Sequence, residues 1–177
     1  FGFSVESMEE AQICLREEGV ASLQIIFNIL RQKPIESIFK QAQEKQVALI
    51  VRLPLASGLL SGKLHRNTPF SDNDHRKFNR DGQEFNVGET FSGLPFEKGL
   101  ELVENLKKHM PENLAPSALR WILDFEAVSV VIPGSKNPKQ VIDNCTASSL
   151  APLTPATHEA LSDLYFMEVA SHIRGKY

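Results

Sequence analysis

"VASLQIIFNILRQKPIESIFKQAQEKQVALIVRLPL", residues 20–55, places two apolar runs on either side of a patterned, helix-like stretch. The first run is too short and too uniformly apolar for a surface helix, and it reads as a buried strand ending near Phe27. Pro34 then opens "PIESIFKQAQEKQ", in which Ile35, Ile38, Phe39 and Ala42 fall on one helical face. "VALIVRLPL" is the second strand, closed by Pro54. Two strands joined through a helix require a crossover, so they run parallel.

The same alternation extends both ways. Upstream, "SVESMEEAQICLREEG" sets Met8, Ala11 and Leu15 at helical spacing, begins with a Ser7-x-x-Glu10 capping box and stops at Gly19; residues Phe1 to Phe3 are the end of a possible further strand. Downstream come the helices "PFEKGLELVENLKKHM" and, after Pro111 and Pro116, "SALRWILDF". "AVSVVIP" is then a strand, "PKQVIDNCTASS" a helix, and Thr154-Pro155 opens a last helix and tail over 154–177. Between Leu64 and Pro95 the periodicity disappears into Asn, Asp, Gly and Ser, far longer than an idle connection, so the stretch is expected to be a lid, a binding segment or a disordered insert. Three confident strands and a possible fourth, all parallel, leave both sheet edges bare. A closed eight-stranded α/β barrel takes about 250 residues. The expected fold is therefore α/β: the last three to four parallel strands of a (β/α)8 TIM barrel with their outer helices. Because the chain opens at Phe1 inside an apolar stretch, its N-terminal partner is expected to have been cut away or to belong to another piece of polypeptide.

Composition narrows the function. The chain has 177 residues, 42% hydrophobic and 23% charged, with a net charge of -3; no basic cluster interleaved with aromatics is present, which argues against nucleic acid. No run approaches the roughly 18 apolar residues of a membrane span, and "FGFSVESMEE" lacks the regions of a signal peptide, so a cytoplasmic protein with no membrane partner is expected. Cys14 and Cys145 lie far apart without metal-ligand spacing and read as reduced core or half-buried thiols. The five histidines read as surface residues, with His75 the best placed to meet a ligand. No metal site is expected.

In a parallel α/β protein the ligand meets the carboxyl ends of the strands. Those ends supply Gly2-Phe3-Ser4, Gln24 and Asn28, Arg52 through Gly58, and Pro133-Gly134-Ser135-Lys136. At the last of these, Gly134 allows close backbone approach, the helix opening near Pro138 has free N–H groups, and Lys136 adds a charge: a phosphate fits, although a plain turn capped by Ser135 or Asn137 fits as well. "PLASGLLSGK" repeats the pattern with Ala56, Ser57, Gly58, Ser61, Gly62 and Lys63, at a spacing that is not that of a Walker loop.

Taken together, "GFS", "SLQIIFN", "RLPLASGLLSGK", "ALRWIL" and "VVIPGSKNPKQVIDN", in this order, resemble the C-terminal half of the aldo-keto reductases over nearly the whole chain. The resemblance implies an NADP(H)-dependent α/β-barrel oxidoreductase acting on aldehydes and ketones, with a nicotinamide dinucleotide and a small carbonyl substrate as partners. It implies that Ser4 and Gln24 bond the nicotinamide carboxamide and that Arg52 stands where many members stack an aromatic ring. Pro54, Leu55, Ala56, Ser57, Gly58 and Lys63 would wrap the pyrophosphate. Gly134, Ser135 and Lys136 would take the ribose phosphate, with Arg76 as a further candidate, and Gln140, Asp143 and Asn144 would meet the adenine. Three positions depart from the family pattern: Val5 where many members have asparagine, Arg52 for the aromatic, and Gln140 where some branches use arginine. The family's catalytic Asp, Tyr, Lys and His come from earlier strands, so no catalytic residue is assigned here. A non-catalytic NADP-binding module and self-association through the open sheet edges stand as the other expectations.

Overall fold

The computed structural model describes residues 1–111 and 113–177. Four strands, β1 (Gly2–Ser4), β2 (Ser22–Ile26), β3 (Ala48–Arg52) and β4 (Val128–Val131), form one sheet in the order β1-β2-β3-β4. All are parallel, with Gly2 opposite Ser22, Leu23 opposite Leu49 and Val51 opposite Val131, and a register shift at Leu49/Ile50. The first pair is close enough that a Cβ on Gly2 would lie 2.2 Å from Ser22 Oγ, so only glycine fits there.

Helix α1 (Met8–Cys14) starts at the expected capping box: Ser7 Oγ accepts from Glu10 N (3.2 Å) while the Glu10 carboxylate accepts from Ser7 N (3.3 Å) and Glu6 N (2.9 Å). The β2–β3 crossover begins with a π-helical turn, Ile35–Phe39, before α2 (Lys40–Glu44). Next come α3 (His75–Phe78), α4 (Phe96–Lys107), α5 (Leu114–Leu123), α6 (Pro138–Thr146) and α7 (Pro155–Leu164). Helix α5 starts earlier than its sequence suggests and carries Pro116 in its first turn, where no intrahelical acceptor awaits the missing N–H.

Leu23, Ile25, Leu49 and Val51 are fully buried on one face of the sheet, in a core continued by Phe27, Phe39, Trp121 and Phe125, whose rings meet at centroid distances of 4.9 to 5.7 Å. Apolar runs of this kind predict burial on both faces, but Ser22, Gln24, Ala48 and Ile50 keep accessible surface, and Val130 and Ile132 are 43% and 46% exposed. Among the described residues nothing covers the second face of the sheet completely.

Two expectations are corrected. Cys145 is exposed, not core, because α6 packs against α5 and leaves Val141, Ile142 and Cys145 uncovered. His158 is half-buried rather than free on the surface: its Nε2 meets Asp124 Oδ2 at 2.9 Å, its ring stacks on Trp121, and Asp124 is itself held by Arg120 Nε (2.8 Å) and Leu153 N (2.9 Å). The Leu64–Pro95 segment is a folded cap and not a disordered insert. Phe91, Leu94, Asn79, Thr90 and Ser92 are fully buried within it, and Asn79 organises it by accepting from Glu84 N and Phe85 N (2.9 Å each) and donating to Thr90 Oγ1.

Trp121 is fully buried yet its Nε1 has no partner among the described residues. Trp121→Ala should therefore lower unfolding free energy by about 3–5 kcal/mol in denaturant titration. Trp121→Phe should cost less than about 1.5 kcal/mol, because the orphaned donor leaves with the lost volume.

Candidate functional site

Parallel strands bring every carboxyl end to one rim, and there a single cleft of about 1750 Å³ opens between the turn after β3 and the β4–α6 turn. Its walls include Pro54, Leu55, Ser57, Gly58 and Lys63 on one side, Gly134, Ser135, Lys136, Gln140, Asp143 and Asn144 on the other, and His75 and Arg76 from the cap. Twelve of the sixteen residues expected at the site thus line one cavity.

The β3 side is built of disfavoured backbone. Leu53, Ala56 and Ser57 have φ of 50, 48 and 55°, followed by Gly58 at 99°, and the Ala56 and Gly58 N–H groups turn back onto Leu53 O (3.0 Å) and Leu55 O (2.9 Å). Side chains hold them there. Asn28, fully buried, donates from Nδ2 to Leu53 O (2.9 Å) and to Ser92 Oγ (2.8 Å), while Ser57 Oγ donates to Glu89 O (3.2 Å) and accepts from Phe91 N (3.1 Å). The cap supplies Asp74, which caps α3 through Arg76 N (3.0 Å) and grips the Arg76 guanidinium at 2.9 and 2.6 Å, placing Arg76 Nη1 3.4 Å from Ser57 O. His75 Nε2 lies 3.4 Å from Ser57 Oγ.

The opposite wall is exposed and satisfies itself. Lys136 N donates to Gln140 Oε1 (2.6 Å), Asn137 caps α6 through Gln140 N (2.9 Å), Asn144 Nδ2 donates to Ser135 Oγ (2.9 Å), and Lys139 pairs with Asp143 (2.7 Å). A Cβ on Gly134 would meet nothing within 4 Å, so neither its φ nor its neighbours in this chain account for a glycine. Among the cations lining the cleft, Arg76, Lys107 and Lys139 pair with Asp74, Glu104 and Asp143, whereas Lys63 and Lys136 pair with no carboxylate among the described residues.

Four expected residues stand apart from the cleft. Ser4 and Gln24 touch each other, Gln24 Nε2 donating to Ser4 Oγ at 3.1 Å across the β1–β2 pair. Arg52 is tied to Glu89 and donates from Nη2 to Val5 O (3.1 Å), leaving its buried Nε without a partner. Ala56 is fully buried, its N–H donating to Leu53 O. Sequence reading missed Glu89, Asp74 and Lys107, whose approach to the strand ends comes from the folding of the cap and of α4; no local pattern announces it. Among the described residues no group of three His, Cys, Asp or Glu side chains could hold a metal, and no helix is long and apolar enough to cross a membrane.

Hydrogen bonds from Arg76 hold the Asp74 carboxyl down at about 2, below its usual 3.8, and burial lowers His75. A depressed carboxyl contributes stability above the unfolded value that is lost as pH falls through the folded one, here from about pH 4 to pH 2. Asp74→Asn keeps a good N-cap but loses the ion pair. It should lower stability by about 1 kcal/mol at pH 7, and acid titration followed by circular dichroism should show the difference from the unsubstituted chain vanishing toward pH 2.

Comparison with known proteins places this architecture. The model of the aldo/keto reductase family matches residues 1–165. An aldo-keto reductase of Strobilurus tenacellus, str7, is 31% identical over 137 residues, covering 74% of this chain and 38% of its own length. The L-glyceraldehyde 3-phosphate reductase of Escherichia coli K12 is 28% identical over 160 residues, covering 89% of this chain and 45% of its own length. The chain thus spans less than half the length of these curated relatives. Among solved structures, the glycerol dehydrogenase AKR11B4 of Gluconobacter oxydans superposes with a TM-score of 0.73 at 24% identity, over 99% of this chain and 51% of that one. The holo form of aldo-keto reductase AKR11C1 of Bacillus halodurans gives 0.64 at 23% identity, over 92% and 49%. The four-stranded parallel sheet with its helices is half of an α/β barrel, and the chain belongs to the aldo/keto reductase family.

Proposed function

We propose that this chain is the cofactor-binding part of an NADP(H)-dependent aldo-keto reductase whose proton-handling residues come from polypeptide outside these 177 residues. One observation carries the reading: Gly134, with open space where a side chain would stand, sits beside Lys136, which pairs with no carboxylate among the described residues, in the same cleft as the left-handed Ser57–Gly58 turn and Lys63. Such a cleft fits a long ligand with negative groups at more than one point.

Lys136 and Lys63 would neutralise phosphate charge at the two walls, and the strained turn would border the pyrophosphate. Gln140, Asp143 and Asn144, one turn apart on α6, would border the adenine. Ser4 and Gln24, adjoining on the sheet face, would present one amide and one hydroxyl to a carboxamide. A bound nicotinamide supplies hydride to a carbonyl carbon. Arg52, held by Glu89 and Val5 O, would keep a fixed charge beneath the ring without reacting. Neither tyrosine lines the cleft, and burial raises Tyr165 to about 12, which supports placing the proton donor elsewhere. A small carbonyl compound as substrate is supported by the similarity to an aldehyde phosphate reductase. Exposure of Val130 and Ile132 at β4 and of Val141 and Ile142 on α6 supports a second half of the barrel closing on this one.

Titration of the chain with reduced nucleotides, followed by their fluorescence, tests the reading. Lys136→Ala should weaken NADPH binding about 10-fold and NADH binding by less than about 3-fold, since a charge-assisted contact to the extra phosphate disappears. Equal losses for both nucleotides would remove Lys136 from the phosphate site. The isolated chain should show no carbonyl reduction, and turnover above background would place the chemistry within it.

A further inference from the structure

Away from the cleft, polar contacts concentrate between the tail, residues 173–177, and the turn Phe91–Gly93. Arg174 donates from its backbone N (3.1 Å) and its Nε (3.0 Å) to Gly93 O, from Nη2 to Leu94 O and Arg80 O (3.2 Å each), and from Nη1 to Asp81 Oδ1 (2.7 Å). From the other side Arg31, 1% exposed, donates to Ser92 O and Lys176 O (3.3 Å each), with its guanidinium 4.5 Å from the centre of the Tyr177 ring. The fit admits no side chain at the contact: a Cβ on Gly93 would come 2.8 Å from Arg174 O, and one on Gly175 would come 2.7 Å from Val87 Cγ1.

The turn so gripped is disfavoured in itself, with Phe91 and Ser92 left-handed at φ 53 and 58°. It faces another left-handed residue, Ser57, whose hydroxyl accepts from Phe91 N and donates to Glu89 O, while Asn28 Nδ2 joins Ser92 Oγ to Leu53 O beside it. Ser57 lines the cleft, whereas Arg174 and Arg31 do not. The tail thus reaches the cleft through the Phe91–Ser92 turn to Ser57, beside a second route in which Arg174 Nη2 donates to Arg80 O and Arg80 Nε donates to Arg76 O (3.2 Å each); a Ser57 substitution isolates the first.

We propose that Arg174 and Arg31 are positioning residues: the docked tail holds the Phe91–Ser92 turn, which through Ser57 sets the lip of the nucleotide cleft, so tail docking and nucleotide binding favour one another. The inference rests on the cleft being a nucleotide site. Because coupling is reciprocal, bound nucleotide also tightens the tail. Among the described residues Arg31 has no carboxylate partner: it donates to three backbone carbonyls and lies over the Tyr177 ring, while burial lowers its pKa to about 10. Release of the tail would cost Arg31 Nη2 its bond to Lys176 O and leave it Glu6 O.

NADPH titration of four proteins, the unsubstituted chain, Arg174→Ala, Ser57→Ala and the double variant, forms a cycle that reads the coupling. Arg174→Ala should weaken NADPH binding about 5- to 10-fold in the unsubstituted background and less than about twofold once Ser57 is alanine. No loss in the first background, or equal losses in both, overturns the proposal. Should the unsubstituted chain not bind NADPH, the nucleotide reading fails by itself and amide hydrogen exchange decides the positioning role. Exchange at Gly58 and Leu60 that is about fivefold faster in Arg174→Ala, with Leu23 and Val51 unchanged, supports it. Unaltered Gly58 and Leu60, or uniform acceleration at all four, overturns it.

Discussion

The parallel hydrogen-bonded register of β1 to β4 is the constraint on which everything else rests. Because no strand reverses, Ser4, Ile26, Arg52 and Val131 end on one rim, and each must be followed by a loop and a helix that carry the chain back. The turn after β3 and the turn after β4 therefore become neighbours despite the roughly 75 residues between them. One is shaped by strain held in place by Asn28 and Ser57, the other by a helix start and open space around Gly134. An exposed wall and a rigid one thus share the cavity.

The rigid wall is not intrinsically stable. Leu53, Ala56, Ser57, Phe91 and Ser92 adopt a backbone that L-residues avoid, at about 1–2 kcal/mol each. They persist because buried donors and acceptors outside the turns leave them no other satisfied arrangement: Asn28 Nδ2 serves both turns at once, and Arg31 fills the space over Gly88, where a Cβ would meet its Nη1 at 2.5 Å. Strain concentrated at a cleft in this way is the usual signature of a site whose geometry matters more than its stability.

Much of the scaffold was legible in the sequence. The helix between two apolar runs, the Ser7–Glu10 capping box and the Pro138 and Thr154-Pro155 helix starts depend on neighbours in the chain, and the structure reproduces them. Small residues at strand ends pointed to the cleft, although nothing lies within 4 Å of where a Cβ on Gly134 would stand. Other features depended on partners far away in sequence. His158 could not be placed without knowing that Asp124 would lie 2.9 Å away, nor could the cap over Leu64–Pro95 without the buried network of Asn79 and Phe91. The fate of Cys145 turned on what covers α6, which local pattern does not record.

Arg31 draws together residues 6, 92 and 176, a span of 145 positions between its own place and that of Lys176. Contacts so distant along the chain repay the entropy of closing their loops only late. During synthesis the sheet and its first crossovers can therefore settle while the Phe91–Ser92 turn still lacks its grip, and that turn reaches its final shape only after the ribosome has made the residues that clasp it.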